Sequence, residues 1–266
     1  MAIAALSLAG ALTGCAGNKV SQTQTQAETE SQSQEVIGII GAMDSEVASL
    51  KDGMEIERTT TVTHMEFCQG TMDGKRVVVV KCGVGKVNAA ICAQTLIREF
   101  GCTKIINTGV AGSLDNRMDI GDIVVSVDAV QHDYDCSPLG FKPGEILYTG
   151  LVAFPADEGL RSAAIDAVKN VAPDIKVFEG RVCSGDQFIA TPEQKEAIVS
   201  VFGGLCSEME GAAIAQVCDL NDTPFVIIRA ISDKSDGSQT VEFEKFQASA
   251  AQHSASIVQY MVENNL

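Results

Sequence analysis

Short apolar runs alternate with amphipathic segments along most of the chain. A strand that is covered on both faces reads as a continuous hydrophobic run, so the apolar runs predict buried strands. The predicted strands are 36–40, 77–80, 104–107, 123–127 and 225–228. The predicted helices are 44–50, 87–100, 157–170, 208–220 and 241–264, with one more beginning after Thr191. This alternation indicates an α/β fold, and we expect a single domain with a mixed central β-sheet flanked by helices.

The first 34 residues differ in kind from the rest. Residues 2–12 are apolar but too few to span a bilayer, which takes about 20 residues, and they suit the hydrophobic region of a signal peptide. They run into Leu12-Thr13-Gly14-Cys15, which resembles a bacterial lipobox, and a polar stretch follows. A polar stretch without hydrophobic period behaves as a flexible tether. We therefore expect a signal peptide at 1–14, a lipidated Cys15 with a linker at 15–34, and a globular domain at 35–266.

These expectations place the protein on the cell membrane, anchored through Cys15 and facing away from the cytoplasm. The alternative is a cytoplasmic protein whose apolar extension is accidental. The net charge of −16 repels the phosphates of nucleic acids, so no nucleic-acid partner is expected. The cysteines form no C-x-x-C pair and only three histidines are present, so we expect no metal site. Most cysteines lie in apolar runs, where free thiols are expected.

Glycine-rich segments follow several of the predicted strands, at 41–43, 82–85 and 108–112. Ligands of open α/β sheets bind at the carboxyl ends of the strands. None of these segments fits a phosphate-binding P-loop, and none is a complete dinucleotide fingerprint. We interpret them as turns at which the backbone approaches a flat or sugar-like ligand closely.

Two acidic segments near the C-terminal end carry the clearest chemistry. Glu208-Met209-Glu210 opens a predicted helix, and Arg229-Ala230-Ile231-Ser232-Asp233 ends a predicted strand. A helix followed by a strand brings Glu210 and Asp233 to one edge of a sheet. A carboxylic acid there can protonate a leaving group, as in glycoside hydrolysis, so the pair favours cleavage of a bond to a sugar.

Six motifs in order carry a resemblance to a known family. They are Ile39-Ile40-Gly41-Ala42-Met43-Asp44-Ser45-Glu46, Gly83-Val84-Gly85-Lys86-Val87-Asn88-Ala89-Ala90, Asn107-Thr108-Gly109-Val110-Ala111-Gly112, Ser184-Gly185-Asp186-Gln187-Phe188-Ile189, Glu208-Met209-Glu210-Gly211 and Arg229-Ala230-Ile231-Ser232-Asp233. Residues 36–264 resemble the 5'-methylthioadenosine/S-adenosylhomocysteine nucleosidase family of the nucleoside phosphorylase superfamily. The resemblance implies a nucleoside phosphorylase-like fold. It also implies hydrolysis of the N-glycosidic bond of both nucleosides, and of 5'-deoxyadenosine, with release of adenine.

The resemblance also implies roles for single residues. Asp233 matches the general acid that protonates N7 of adenine, and Glu46 matches the carboxylate that deprotonates the attacking water. Glu210 matches the acceptor for the ribose hydroxyls, Met209 a ribose contact, and Arg229 a residue near the water.

On the base side, Phe188 matches the ring stacked on adenine, and the Ile189 backbone reads the purine edge. Met43, Gly112, Glu208 and Ser232 are expected to complete the substrate site. The resemblance implies no cofactor. It implies a homodimer in which residues 132–141 of the partner reach the pocket for the 5'-substituent.

Two positions bear on the type of reaction. Phosphorylases of the superfamily hold phosphate with cations, whereas this chain has Asp44 and Glu46 after the first strand, which favours hydrolysis. Cys82 departs from the serine that hydrolases of the family commonly have at that turn. The alternatives are a phosphorylase or a futalosine hydrolase of the same fold, or a lipid-anchored nucleoside-binding protein without catalysis.

Overall fold

The computed structural model describes residues 35–234, 239–264 and 266, with side chains of the last helix described from Phe243 onward. The strands are β1 (Ile37–Gly41), β2 (Glu55–Val62), β3 (Met65–Met72), β4 (Lys75–Lys81), β5 (Lys104–Ser113), β6 (Ile123–Gln131), β7 (Ala153–Pro155), β8 (Val177–Ser184), β9 (Cys206–Glu208) and β10 (Phe225–Asp233). The helices are α1 (Asp44–Asp52), α2 (Lys86–Glu99), α3 (Glu158–Val171), α4 (Pro192–Phe202), α5 (Gly211–Leu220) and α6 (Gln239–Asn264). The predicted signal peptide, Cys15 and linker lie outside the described residues.

All ten strands belong to one mixed sheet, in the order β10-β6-β8-β9-β5-β1-β4-β3-β2, with β7 paired to β6. Strand β10 also pairs with β5, so β10, β6, β8, β9 and β5 form a closed ring of strands. The pairs β1–β4, β1–β5 and β5–β10 are parallel, and β2–β3, β3–β4 and β6–β10 are antiparallel. The predicted fold class, a mixed central sheet flanked by helices, is confirmed.

Helices cover both faces of the sheet because both faces are apolar. One core cluster joins α2 and α5 to the sheet through side chains such as Leu96 and Ile214. A second cluster joins α1, α3 and α6 to the other face, through Leu50, Leu160 and Val258. Strands β1 and β10 are buried along their whole length, which explains their uninterrupted apolar sequence. In the part of the chain that is described, no helix is both long and apolar enough to cross a membrane.

Two predicted boundaries are wrong. Residues 108–112 are not a turn but the second half of β5, because their parallel pairing with β10 continues to Gly112. The helix predicted from residue 208 begins at Gly211, because Cys206–Glu208 pair with both β5 and β8 as strand β9. In both cases pairing with distant strands overrides the local pattern.

The predicted capping box before α4 is confirmed, since Thr191 Oγ1 accepts from Gln194 N at 3.2 Å and Gln194 Oε1 accepts from Thr191 N at 3.1 Å. The sequence gives no apolar run for β2, β3, β7, β8 or β9. Strand β2 is largely exposed and reads Glu-Ile-Glu-Arg-Thr-Thr-Thr-Val, so neighbouring strands rather than hydrophobic burial define it.

Candidate active site

A cavity of about 300 Å³ opens where β1, β5 and β10 end and where α5 begins. Ten of the eleven residues predicted for the site line it: Met43, Glu46, Gly112, Phe188, Ile189, Glu208, Met209, Glu210, Ser232 and Asp233. Arg229 is the exception, because it lies beneath the cavity and contacts the acidic residues from below. The fold therefore brings six sequence motifs into one place.

The sequence did not single out seven further lining residues: Ala42, Val84, Val110, Ala111, Gln187, Ser207 and Phe243. All except Phe243 lie inside a motif or next to one, so their closeness to the motifs in the sequence could have identified them. Phe243 belongs to α6 and meets Phe188 edge-on, with ring centroids 5.7 Å apart. No local pattern marks it, because only the packing of α6 brings it to the cavity.

Glu46 lies in the first turn of α1, where its side chain folds back over the end of β1. Its Oε2 accepts from the backbone N–H groups of Ala42 at 2.6 Å and Met43 at 2.9 Å, and its Oε1 accepts from Val110 N at 3.1 Å. Burial raises the pKa of Glu46. The carboxylate is thus fixed in orientation and made a better proton acceptor.

A glycine makes room for this carboxylate. A Cβ at Gly109 would lie 2.5 Å from Glu46 Oε1, which no ordinary contact allows. Glycine is therefore needed at position 109, within a strand, because the carboxylate of Glu46 packs directly against its backbone.

Glu208 and Arg229 form a buried ion pair under the cavity. Glu208 accepts from Arg229 Nη2, Ser184 Oγ and the backbone N–H of Gly211, the last at 2.8 Å. Arg229 Nη2 also donates to Asn107 Oδ1 at 2.6 Å. We call Asn107, Ser184, Glu208 and Arg229 the buried floor. Among the described residues, Arg229 Nε alone of its guanidinium nitrogens has no hydrogen-bond partner.

Glu210 is the residue that precedes α5. Its Oε1 accepts from Gly85 N at 2.9 Å, and its Oε2 lies 4.0 Å from Arg229 Nη2. Burial, together with the neighbouring charge of Glu208, raises the pKa of Glu210 to about 8. Its carboxyl therefore holds a proton far more firmly than an exposed glutamate does.

Asp233 ends β10 and is 2% exposed. The register between β10 and β5 shifts between Ile231 and Asp233, a bulge of the kind that redirects a side chain. Ser232 Oγ lies 3.0 Å from Asp233 Oδ2, to which it donates. The bulge and this hydrogen bond orient the carboxyl group at the cavity wall.

Apolar side chains form much of the remaining lining of the cavity. Phe188 is 47% exposed at the mouth, while Ile189 is buried against α4. Met43 and Met209 add two flexible thioether side chains. A flat aromatic ligand fits between such side chains.

Cys82 lies behind the acidic residues and does not line the cavity. Its Sγ donates to the carbonyl of Gly83 at 3.0 Å. Burial, and then the charges of Glu210 and Glu46, raise the pKa of this thiol, so it stays protonated. It is one of eight cysteines in the described residues that form no disulfide.

Comparisons with known proteins agree on one family. The family model described as "Phosphorylase superfamily" matches residues 36–263. The chain is 41% identical to the 5'-methylthioadenosine/S-adenosylhomocysteine nucleosidase of Shewanella sediminis over 228 residues, which cover 85% of this chain and 98% of that protein. It is 42% identical to the nucleosidase of the same name from Anoxybacillus flavithermus, covering 85% and 97% of the two chains.

Solved structures give the same result. The Neisseria meningitidis nucleosidase, in complex with methylthio-immucillin-A, superimposes with a TM-score of 0.83 at 36% identity, covering 86% of this chain and 99% of that one. The futalosine hydrolase of Helicobacter pylori superimposes with a TM-score of 0.82 at 32% identity, covering 86% and 98%.

Proposed function

The chain belongs to the phosphorylase superfamily and, within it, to the 5'-methylthioadenosine/S-adenosylhomocysteine nucleosidase family, and we propose that its cavity hydrolyses the N-glycosidic bond of these two nucleosides. The observation that carries the proposal is the meeting of Glu46, Glu210 and Asp233 around one cavity with an apolar, aromatic side. The products are adenine and either the thioribose or the ribosylhomocysteine that remains. 5'-Deoxyadenosine, which shares the adenosyl group, is a further expected substrate.

Asp233 is proposed as the general acid. When the N-glycosidic bond breaks, negative charge develops on the base and positive charge on the ribose. A carboxylic acid that donates a proton to N7 of adenine neutralises the leaving group, a contribution of about 10²–10⁴-fold in rate. The bulge in β10 and the hydrogen bond from Ser232 support this role, because they fix the direction of the carboxyl group.

Glu46 is proposed to activate the attacking water. Three backbone N–H groups hold its carboxylate, and its raised pKa suits it to accept a proton. Both features support water as the nucleophile.

Glu210 and Met209 are proposed to hold the ribose. A ribose hydroxyl that donates to Glu210 favours its ionised form, so binding of the nucleoside lowers a pKa that stands at about 8 in the free protein. The resulting carboxylate stabilises the positive charge that develops on the sugar. This interaction strengthens as the bond breaks and therefore lowers the barrier.

The base is proposed to stack on Phe188 and to meet the backbone of Ile189, with Met43 and Gly112 completing the pocket. The position of Phe188 in the cavity lining supports this assignment, because its exposed ring offers an aromatic face on which a flat base can stack.

Hydrolysis is favoured over phosphorolysis by the charge of the cavity. Glu46, Glu208, Glu210 and Asp233 all line it, and the nearby cation Arg229 is already paired with Glu208. A phosphate dianion needs an unpaired cation to bind it, and no lysine or arginine lines the described cavity, whereas a neutral water molecule needs none.

Adenine release from 5'-methylthioadenosine in phosphate-free buffer tests the proposal. We expect release at full rate without phosphate and no stimulation when phosphate is added. Release that requires phosphate would identify a phosphorylase. Tight nucleoside binding without any product would identify a binding protein that lacks catalysis.

Futalosine hydrolysis is a second candidate activity, because the Helicobacter pylori futalosine hydrolase is nearly as similar in structure as the nucleosidases. A direct competition between 5'-methylthioadenosine and futalosine decides the matter. We expect a kcat/KM at least tenfold higher for 5'-methylthioadenosine.

A homodimer is proposed from an exposed apolar face beside the cavity. Val87 and Ile91, one turn apart on α2, are 70% and 41% exposed, and Val84 at the cavity is 49% exposed. Leu139 in the 132–141 loop is 69% exposed. These side chains suit a second copy whose loop covers the pocket for the 5'-substituent.

Light scattering after size exclusion tests the dimer. We expect Val87→Glu to give monomers with a raised KM for 5'-methylthioadenosine. Ile56→Glu, at a residue 48% exposed on β2, is the matched control and should leave the mass unchanged. A monomeric wild-type protein with normal activity would contradict the proposal.

The lipid anchor is a separate proposal that rests on Leu12-Thr13-Gly14-Cys15. Fractionation of cells that express the full chain tests it. We expect the protein in the membrane fraction, and its loss from that fraction in Cys15→Ser. Protein in the soluble fraction in both cases would support the cytoplasmic alternative.

A further inference from the structure

Three hydrogen bonds close a ring beside the cavity between the first residue of α2 and two loops. Lys86 Nζ donates to Asp133 Oδ1 at 2.5 Å, and the backbone N–H of Asp186 donates to Asp133 Oδ2 at 2.9 Å. The backbone N–H of Lys86 donates to Asp186 Oδ1 at 2.8 Å. We call these three residues the Lys86 ring. It joins the start of α2 to the segments that follow β6 and β8.

None of the three residues lines the cavity, but Lys86 follows a residue that holds a lining carboxyl group and Asp186 precedes lining residues. Gly85 precedes Lys86, and its N–H holds Glu210 Oε1 at 2.9 Å. Asp186 precedes Gln187, Phe188 and Ile189, which line the side of the cavity assigned to the base. The ring therefore links the carboxylate assigned to the ribose with the segment assigned to the base.

Both the shape of the backbone at Gly85 and the charges of Lys86 and Asp133 favour the Lys86 ring. Gly85 has a φ of +102°, and a Cβ there would lie 3.2 Å from Asp186 Oδ1, so the approach of this carboxylate favours glycine at that position. The side chains of Lys86 and Asp133 are only 17% and 16% exposed. An ion pair with so little solvent holds its partners more firmly than a surface pair does.

The lysine is also tied to the protein core. Its Nζ donates to Gln131 Oε1 at 3.0 Å, and Gln131 Nε2 donates to Gln216 Oε1 of α5 at 2.6 Å. Helix α5 begins directly after Glu210. The connection from Lys86 to Glu210 thus runs both through Gly85 and through α5.

We propose that Asp133 is a positioning residue for nucleoside cleavage, which sets the spacing between Glu210 and the Gln187–Ile189 segment through Lys86 and Asp186. The inference rests on the proposed nucleosidase function. A nucleoside bridges both groups, whereas free adenine touches only one of them. Misplacement by about 1 Å can cost a reaction roughly 100-fold, so the spacing matters for the nucleoside and not for adenine.

Asp133→Asn is the test. The two oxygens of Asp133 accept one hydrogen bond each, whereas the side-chain nitrogen of asparagine only donates, so the variant loses one of the two bonds. We expect kcat/KM for 5'-methylthioadenosine to fall about 10- to 100-fold, with adenine affinity by calorimetry within threefold of the wild type. Lys86→Met should cause a similar loss, and the double variant should be no worse than the poorer single one. Lys86→Arg, which keeps the charge, should restore most of the activity lost in Lys86→Met.

Asp128→Asn is the matched control. Asp128 lies on β6, five positions before Asp133, and pairs with Arg181 at 2.7 Å with a side-chain exposure of 20%. The Asp128→Asn protein should have a lower thermal midpoint, and its kcat/KM should fall by no more than about twofold. If Asp133→Asn were as active as this control, or if adenine and nucleoside affinities fell in equal proportion, the inference would be overturned. If Asp133→Asn does not fold, the Lys86→Met and Lys86→Arg pair decides by the same two measurements.

The result is separable from the proposed function itself. If wild-type protein released no adenine, the nucleosidase proposal would fail. An active wild type with an equally active Asp133→Asn would contradict the positioning role alone.

Discussion

Carboxyl groups are paired in the buried floor but largely unpaired at Glu210 in the wall of the cavity. Glu208 in the floor accepts from Ser184, from Arg229 and from the backbone, so the protein itself satisfies its charge. Glu210, two residues later, has one short backbone contact and lies 4.0 Å from the arginine, and its pKa rises to about 8. We call Glu46, Glu210 and Asp233 the acidic wall.

The difference teaches how to recognise a reactive acid in this fold. A carboxylate that is fully paired contributes to folding and to the position of its neighbours, but it has little left to offer a substrate. Glu210, a buried carboxyl group with unused acceptor capacity, is costly to the folded protein, and such groups gather at functional sites. We expect substitutions in the wall to affect catalysis first and substitutions in the floor to affect stability first.

The largest expected effect lies in the wall, at Asp233. Asp233→Asn keeps the shape but removes the proton that the leaving base receives, so kcat should fall about 10²–10⁴-fold. The thermal midpoint should stay within a few degrees of the wild type. Adenine release and thermal unfolding measure the two quantities. Turnover above one tenth of the wild-type value would remove Asp233 from the role of acid.

The floor should respond in the opposite way at Glu208. Glu208→Gln leaves the buried Arg229 without its charged partner, which costs about 3–5 kcal/mol in the free energy of unfolding. Urea denaturation measures this value. Asp166→Asn, which breaks the exposed pair with Lys169 on α3, is the control and should cost no more than about 0.5 kcal/mol. Equal losses in the two variants would mean that the buried pair contributes no more to stability than an exposed one, which would contradict the role given to the floor.

The next largest expected effect is a pH dependence of the free energy of unfolding that arises from Glu210 in the wall. The folded pKa of Glu210, about 8, lies above its ordinary value of 4.5, so the folded protein binds this proton more firmly than the unfolded chain. The free energy of unfolding should therefore fall as pH rises from about 4.5 to about 8, by up to about 1.4 kcal/mol per pH unit from this group. The buried Glu46 acts in the same direction.

Glu210→Gln should remove most of that slope while it leaves the remaining pH dependence in place. Urea denaturation at pH 5.5, 6.5, 7.5 and 8.5, values chosen to span the range that the raised pKa implies, measures the slope for both proteins. A slope that survives unchanged in Glu210→Gln would mean that another group titrates in this range.

The smallest expected effect concerns the support of the acid. Ser232→Ala removes the hydrogen bond to Asp233 Oδ2, a neutral donor to a carboxyl group that is worth about 1 kcal/mol. We expect kcat to fall about fivefold, with KM unchanged. Ser249→Ala on α6, where the hydroxyl bonds only the backbone of Phe246 in the described contacts, should have no effect on kcat. A loss as large as that of Asp233→Asn would make Ser232 a direct participant.

Much of the site could be read from the sequence because its residues cluster in short motifs at strand ends. Fully buried strands such as β1 and β10 need continuous apolar runs, so their ends, and the acids next to them, are visible in one dimension. The nucleosidase family follows from the order of the motifs. Phe243, in contrast, reaches the cavity only through the packing of α6, and no sequence pattern predicts this position.

Other features depended on contacts between distant segments. Strand β9 exists because β5 and β8 lie on either side of it, and β5 continues to Gly112 because β10 runs alongside. The Lys86 ring joins segments that are 47, 53 and 100 residues apart in sequence. Local propensity carries no information about such pairings.

The sequence by itself determined the α/β class, the buried strands and the identity of the acids, because burial and motif order leave a direct record in residue types. Only the tertiary structure decided which acid is paired and which stays available. Glu208 and Glu210 are the same residue type in the same motif. They differ because Arg229 and Ser184 arrive from other strands to satisfy one, whereas in the described part of the chain Gly85 is the single close donor to the other.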